Sequence, residues 1–173
     1  MAGNLYDKAM SQQTLLQKIG SYIPGWGGYQ NKETRRDADQ MQREFIATRL
    51  SGLKMTVKRT VEDLMSGGNY DGLQQYEKLL NKLDKVSNKI KNAAQGYAGM
   101  WDSIKIDDAA LQKLYQYDLV MVEAAKEVEL RTNELRSLSS DPQKAADKAR
   151  EVAGLVDRVD DYFNERAEVI AQG

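Results

Sequence analysis

The sequence predicts an all-α fold, an elongated antiparallel bundle of four long helices preceded by a shorter N-terminal amphipathic helix. Three observations carry that expectation. Apolar residues recur at steps of three and four along most of the chain, the only two prolines (Pro24 and Pro142) fall at apparent segment boundaries, and no stretch alternates apolar and polar residues as a half-buried strand does. At 173 residues the chain fits a single domain, 1–173, able to bury about 70% of its unfolded surface around one core.

The elements follow in order. Residues 4–22 place Leu5, Ala9, Leu16, Ile19 and Ile23 on one stripe behind Asn4 as N-cap. After Pro24 and its glycines, residues 31–66 form the longest helix, with Ile46, Leu50, Leu53, Val57, Val61 and Leu64 as a heptad-like seam. Gly52 interrupts that seam at a cost of about 1 kcal/mol relative to alanine, which predicts close helix contact or a mild kink there. Ser66-Gly67-Gly68-Asn69 stops the helix, and residues 71–95 return as the second arm of an αα-hairpin on Leu73, Tyr76, Leu80, Leu83, Val86, Ile90 and Ala94. An aspartate caps the helix 108–138, which carries Leu111, Leu114, Tyr117, Met121, Ala124, Val128 and Leu135. Its run Leu119-Val120-Met121-Val122 is apolar on all sides, as in a central, buried helix. Ser139-Ser140-Asp141-Pro142 opens the last helix, 142–171, on Ala145, Ala149, Val152, Val156, Val159, Phe163 and Ile170, with Arg166 in the one polar slot of the seam.

Composition narrows the chemistry. Without cysteine there is no disulfide framework and no thiolate, and without histidine the commonest general base and zinc ligand are missing. The Glu-x-x-His pattern of di-iron bundles therefore cannot be met. Asp118, beside the apolar run, is the best candidate for a buried acid, with Glu123 next. A place on the helix surface, or pairing with an arginine such as Arg166, is favoured for Asp118 ahead of catalysis. Gly25-x-Gly27-Gly28 follows no strand and lacks the Gly-Lys-Ser/Thr of a phosphate loop. No catalytic residue, cofactor or metal site is indicated. The start of the chain has neither the basic n-region nor the apolar h-region of a secretory signal, and no apolar run reaches the ~20 residues of a membrane span, so a cytoplasmic protein is expected.

Net charge is −1, but it is sorted by position. Residues 1–105 carry 16 basic and 11 acidic side chains, and residues 106–173 carry 9 and 15. Oppositely charged halves packing together is the favoured reading, and head-to-tail association the sharper one. Lys78, Lys82, Lys85 and Lys89 project from one helix face as a basic stripe that suits an anionic lipid surface if it is not simply a solvated face. No zinc-finger or RRM signature accompanies the stripe, so nucleic acid is not indicated as a partner.

Both tryptophans lie in the glycine breaks, Ile23-Pro24-Gly25-Trp26-Gly27-Gly28-Tyr29 and Gly96-Tyr97-Ala98-Gly99-Met100-Trp101. Lys32-Glu33-x-Arg35-Arg36, Asp39 and Arg43 follow the first. Asp102, Ile104-Lys105-Ile106-Asp107, Leu111, Leu114-Tyr115 and Tyr117-Asp118 follow the second. These runs resemble the two signatures of a family of small, uncharacterised, all-helical bacterial proteins, over roughly residues 15–170. Trp26 stands where that family has tyrosine and Trp101 where it has phenylalanine. The resemblance implies a helical, non-enzymatic bacterial protein and names no substrate. If the two breaks share one end of the bundle, the charges flanking them, with Asp102, Asp107 and Asp108, form a network capped by the tryptophans.

The reading that results is a non-catalytic interaction or scaffold protein. It binds an unidentified protein partner through Trp26, Tyr29, Arg35, Arg36, Tyr97 and Trp101, aromatic and arginine types enriched in interface hot spots. The alternative is a peripheral protein at the inner face of a membrane, using the N-terminal helix and the lysine stripe.

Overall fold

A computed structural model describes residues 11–93 and 107–172. Among them are five α-helices and no strand: α1 (Gln12–Tyr22), α2 (Arg35–Ser66), α3 (Leu73–Asn92), α4 (Asp108–Ser137) and α5 (Pro142–Gln172), with a 3₁₀ turn, Lys32–Thr34, leading into α2. The fold is the expected all-α bundle of four long helices and one short one. Asn4 and Ala94 lie outside the described residues.

Local chemistry sets the helix ends. Ser11 caps α1, its Oγ accepting from Thr14 N, Asp107 Oδ1 accepts from Ala110 N at the start of α4, and Asp141 Oδ1 accepts from Lys144 N at the start of α5. α2 ends in a Schellman motif in which Asn69 N donates to Leu64 O and Gly68 N to Met65 O, with Gly68 at φ 78°. A side chain at that position would strain the left-handed backbone, which is why the stop needs glycine.

The seams fall close to their expected registers, with local shifts. Leu15, rather than Leu16, lies with Ile19 and Ile23 on the buried stripe of α1, because steps of four keep these three in one line. In α2 the fully buried residue is Thr60, beside a half-buried Val61, and the Thr60 hydroxyl is satisfied by Thr56 O at 2.9 Å. Leu79 replaces Leu80 in α3, and Tyr115 replaces Tyr117 in α4. The α5 seam is buried at every expected position, Arg166 included, and Leu119 to Val122 are buried on all sides of α4. Gly52 makes no close helix contact: it is exposed, no atom lies within 4 Å of the Cβ it lacks, and α2 runs on through it.

The chain divides into two compact units. The first comprises Met1–Ile46, Ile90–Glu123 and Asp161–Gly173, and the second Ala47–Lys89 and Ala124–Asp160. Within the second, ion pairs define which helices are neighbours. Lys54 meets Asp84 across the α2–α3 hairpin, and Lys148 meets Glu134 across the α4–α5 hairpin, so each hairpin is antiparallel. Between hairpins, Arg49 meets Glu129 and Arg136 meets Asp63, which sets α2 parallel to α4, while Lys82 meets Asp157 and Lys89 meets Asp160, which sets α3 parallel to α5. The unit is thus two hairpins side by side. Three of these four inter-hairpin pairs join a base of the first hairpin to an acid of the second, so the sorted charge is matched inside the unit.

Gly52 and Gly154 both lie in exposed helix interior with open space where a Cβ would sit. Replacing each by alanine is expected to raise stability by about 0.5–1 kcal/mol, additively, by narrowing the unfolded ensemble and adding helix propensity. Urea unfolding of the two single variants and the double would show it. A lower midpoint in either single would contradict the open environment assigned to that glycine.

Candidate functional site

The loop after α1 is built to bring its aromatics inward. Gly25 and Gly28 take φ of 82° and 76°. At Gly28 an added Cβ would lie 2.5 Å from Leu16 Cδ1 and 2.6 Å from Tyr115 Oη, so only glycine lets the backbone pass this close to α1 and α4. Trp26 Nε1 then donates to Ala38 O at 2.8 Å, in the first turn of α2. The Trp26 ring meets Tyr29 and Tyr115 edge-on, with centroids 5.3 and 5.8 Å away, and Tyr29 and Tyr115 stack at 5.7 Å. The loop backbone is tied down as well: Tyr29 N donates to Tyr115 Oη at 2.9 Å, and Arg35 Nε donates to Tyr29 O at 2.7 Å.

Beneath the aromatics lies a buried charge network in the first unit. Arg166 of α5 donates from Nε to Asp118 Oδ1 at 2.5 Å and from Nη2 to Asp39 Oδ1 at 2.7 Å. Asp39 Oδ2 accepts from Arg43 Nε at 2.7 Å, and Arg43 Nη1 donates onward to Ile90 O and Lys91 O. Those carbonyls belong to the last turn of α3, so Arg43 acts as a cap on that end. Tyr29 bridges the Asp118–Arg166 pair: its hydroxyl donates to Asp118 Oδ2 at 2.5 Å and accepts from Arg166 Nη2 at 2.9 Å. Asp39, Arg43, Asp118 and Arg166 are each at most 2% exposed, and together they are neutral.

Titration follows from that burial. Desolvation raises the Asp118 carboxyl above its ordinary range, against the opposing pull of Arg166 and of the Tyr29 hydroxyl. For Arg166 burial works against the charge, but Asp118, Tyr29 and Asp39 outweigh it and hold the guanidinium protonated. The Tyr29 phenol is pushed well above its usual value, first by burial and then by Asp118. Because the carboxyl pKa of Asp118 is raised by folding, its contribution to stability is complete in acid and is lost as pH rises through the folded value. The ionised acid therefore contributes less to stability than the neutral one would, and its ion pair with Arg166 is what keeps the charge tolerable there.

The candidates read from sequence meet different fates. Trp26 and Tyr29 are buried at 6% and 0% exposure, and Arg35 is buried at 9%, so all three hold the loop from inside. Arg36 is exposed. Tyr97, Trp101 and Asp102 lie outside the described residues. The expected Asp118–Arg166 pair is present, whereas Asp107 serves as a helix cap and the backbone carbonyl of Asp108 accepts from Gln12 Nε2 at 2.9 Å. Of the lysine stripe, Lys78 and Lys85 are exposed, while Lys82 and Lys89 are paired with Asp157 and Asp160 at 2.6 and 2.7 Å, which weakens the case for an anionic surface. Tyr115 enters the sequence reading only as part of the second signature, although its spacing of three from Asp118 puts both on one helix face. No group of acidic side chains able to hold a metal and no helix long and apolar enough to cross a membrane occurs among the described residues. No protein family, curated protein or solved structure matches the chain.

Two outcomes test the network. Arg166→Met is expected to cost about 3–5 kcal/mol by leaving the buried Asp118 carboxylate without a cation while Asp39 keeps Arg43, and the double variant Asp118→Asn/Arg166→Met to cost less than the two singles summed. Strict additivity in urea unfolding would mean the two side chains do not act on each other. The second concerns alkali. Burial raises the phenols of Tyr29, Tyr76 and Tyr115 above the ordinary 10.0, so above that pH the unfolded chain releases protons that the folded one retains. Stability is expected to fall with rising pH there, and less steeply in Tyr29→Phe, as followed by thermal unfolding between pH 9 and about 11. A slope indifferent to Tyr29→Phe would contradict the burial of that phenol.

Proposed function

We propose that this chain is a non-catalytic helical-bundle interaction protein that binds another protein through the surface around its first glycine-aromatic loop. The observation that carries this reading is the investment in one loop. Four buried charges and three packed aromatic rings fix its inner side, and Pro24, Gln30, Asn31, Lys32, Glu33, Arg36 and Asp37 stand exposed on its outer side and on the helix start it leads into. Buried ion pairs are weak sources of stability, and a loop positioned by a rigid scaffold is where proteins place recognition. Trp26 and Tyr29 then shape the surface from below, and the exposed polar and charged residues make the contacts. Tyr97 and Trp101 belong to this reading on their sequence alone.

The absence of histidine and cysteine, with the Asp118 carboxylate committed to Tyr29 and Arg166, favours binding over catalysis. The experiment is a pull-down from the native host with the wild-type protein and with Lys32→Glu/Arg36→Glu, whose side chains are exposed and whose folding is checked by circular dichroism. Loss of at least one specifically retained protein in the folded variant is the expected result. An identical set of retained proteins would remove this surface from consideration.

A further inference from the structure

The loop and α1 are attached to the bundle in a way that lets them leave without breaking an ion pair of the buried network, although Arg35 loses its acceptor, Tyr29 O. The ion pairs Arg166–Asp118, Arg166–Asp39 and Asp39–Arg43 are all made by side chains of α2, α4 and α5, so the set stays neutral and paired whether or not Tyr29 is present. What Tyr29 adds is one short hydrogen bond to Asp118 and one acceptor for Arg166. A second feature points the same way: Arg166 Nη1 is buried with no hydrogen-bond partner, so the closed arrangement leaves part of a guanidinium unsatisfied, and access of water would relieve it.

The segment is held mainly at its loop end, and α1 by itself has few anchors. α1 has 11 residues, fewer than an isolated helix needs, and buries only Leu15 and Ile19 before the loop adds Ile23, Trp26 and Tyr29. Within α1 the described side-chain bond to a long helix is Gln12 Nε2 to Asp108 O, and the loop adds Trp26 Nε1 to Ala38 O and Tyr29 N to Tyr115 Oη. Residues 30–34, which join it to α2, are exposed throughout and suit a hinge.

We propose that residues 11–29 form a hinged cover that opens as one unit from an otherwise folded bundle, with the Tyr29 hydroxyl as its bolt, and that partner binding at the loop acts on this opening. The second half of that statement rests on the interaction reading above; the opening does not. Opening leaves a water-accessible Asp118–Arg166 pair and bares the side chains against which Leu15, Ile19 and Ile23 pack.

Native-state hydrogen exchange on the full chain, alone and in low denaturant, separates the possibilities without any partner. The backbone N–H groups of Ile19, Trp26 and Tyr29 are expected to share one opening free energy. They should exchange at least about a hundredfold faster than those of Leu119 to Val122, with a weaker dependence on denaturant. Tyr29→Phe is expected to speed the first set by about tenfold, the worth of a hydrogen bond to a charged group. Exchange of both sets at one rate and one denaturant slope would mean that the segment leaves only on global unfolding. Three unequal opening energies within the segment would mean fraying instead of a unit, and no acceleration in Tyr29→Phe would remove the bolt. A failed pull-down beside a positive exchange result would overturn the coupling to a partner and leave the opening intact.

Discussion

The ion pair between Asp118 and Arg166 is the constraint around which the first unit is arranged. Two charges withdrawn from water are tolerable only with close geometry and with their remaining valences met, and the unit meets most of them by placing Asp39, Arg43 and Tyr29 within hydrogen-bond reach. That requirement fixes the relative register of α2, α4 and α5 more tightly than the aliphatic seams do, because a Leu or Val contact survives a slide of an ångström and a bond of 2.5 Å does not. The loop after α1 inherits the arrangement, since its own anchor, Tyr29, is a ligand of the same pair.

Arg43 shows how one side chain can serve two scales. Its Nε completes the charge set with Asp39, and its Nη1 meets the carbonyls of Ile90 and Lys91 at the end of α3. A helix end that would otherwise need glycine or solvent is closed by a group already held in place for electrostatic reasons.

Much of the fold was legible in the sequence. Helices of this length announce themselves by spacing, and the Gly67-Gly68 stop, the Asp107 and Asp141 caps and the Arg166 gap in an apolar seam each have a local mechanism that needs no tertiary knowledge. The Asp118–Arg166 pair was readable for the same reason: an acid beside an apolar run and a base inside one have few other places to go. The parts that were not legible depend on rotation about a helix axis and on which helices become neighbours. Leu15 against Leu16, Thr60 against Val61 and Tyr115 against Tyr117 differ by one or two positions that periodicity cannot rank, and contacts outside the helix decide among them. An aromatic in a glycine loop reads more often as a plug than as a handle, and Trp26 and Tyr29 do turn inward, but the sequence does not say against which helix. What settles it is Gly28, whose missing Cβ admits the Tyr115 hydroxyl.

The matching of a basic first hairpin to an acidic second one bears on how the chain is made. During synthesis the first hairpin emerges with more basic than acidic side chains, and Arg49, Lys82 and Lys89 find their carboxylates only after Glu129, Asp157 and Asp160 have left the ribosome. Charge sorted by chain order thus gives the nascent first half a reason to wait: its own like charges repel, and compaction becomes favourable once the acidic half arrives. A sequence with the same net charge, but mixed within each hairpin, would impose no such delay.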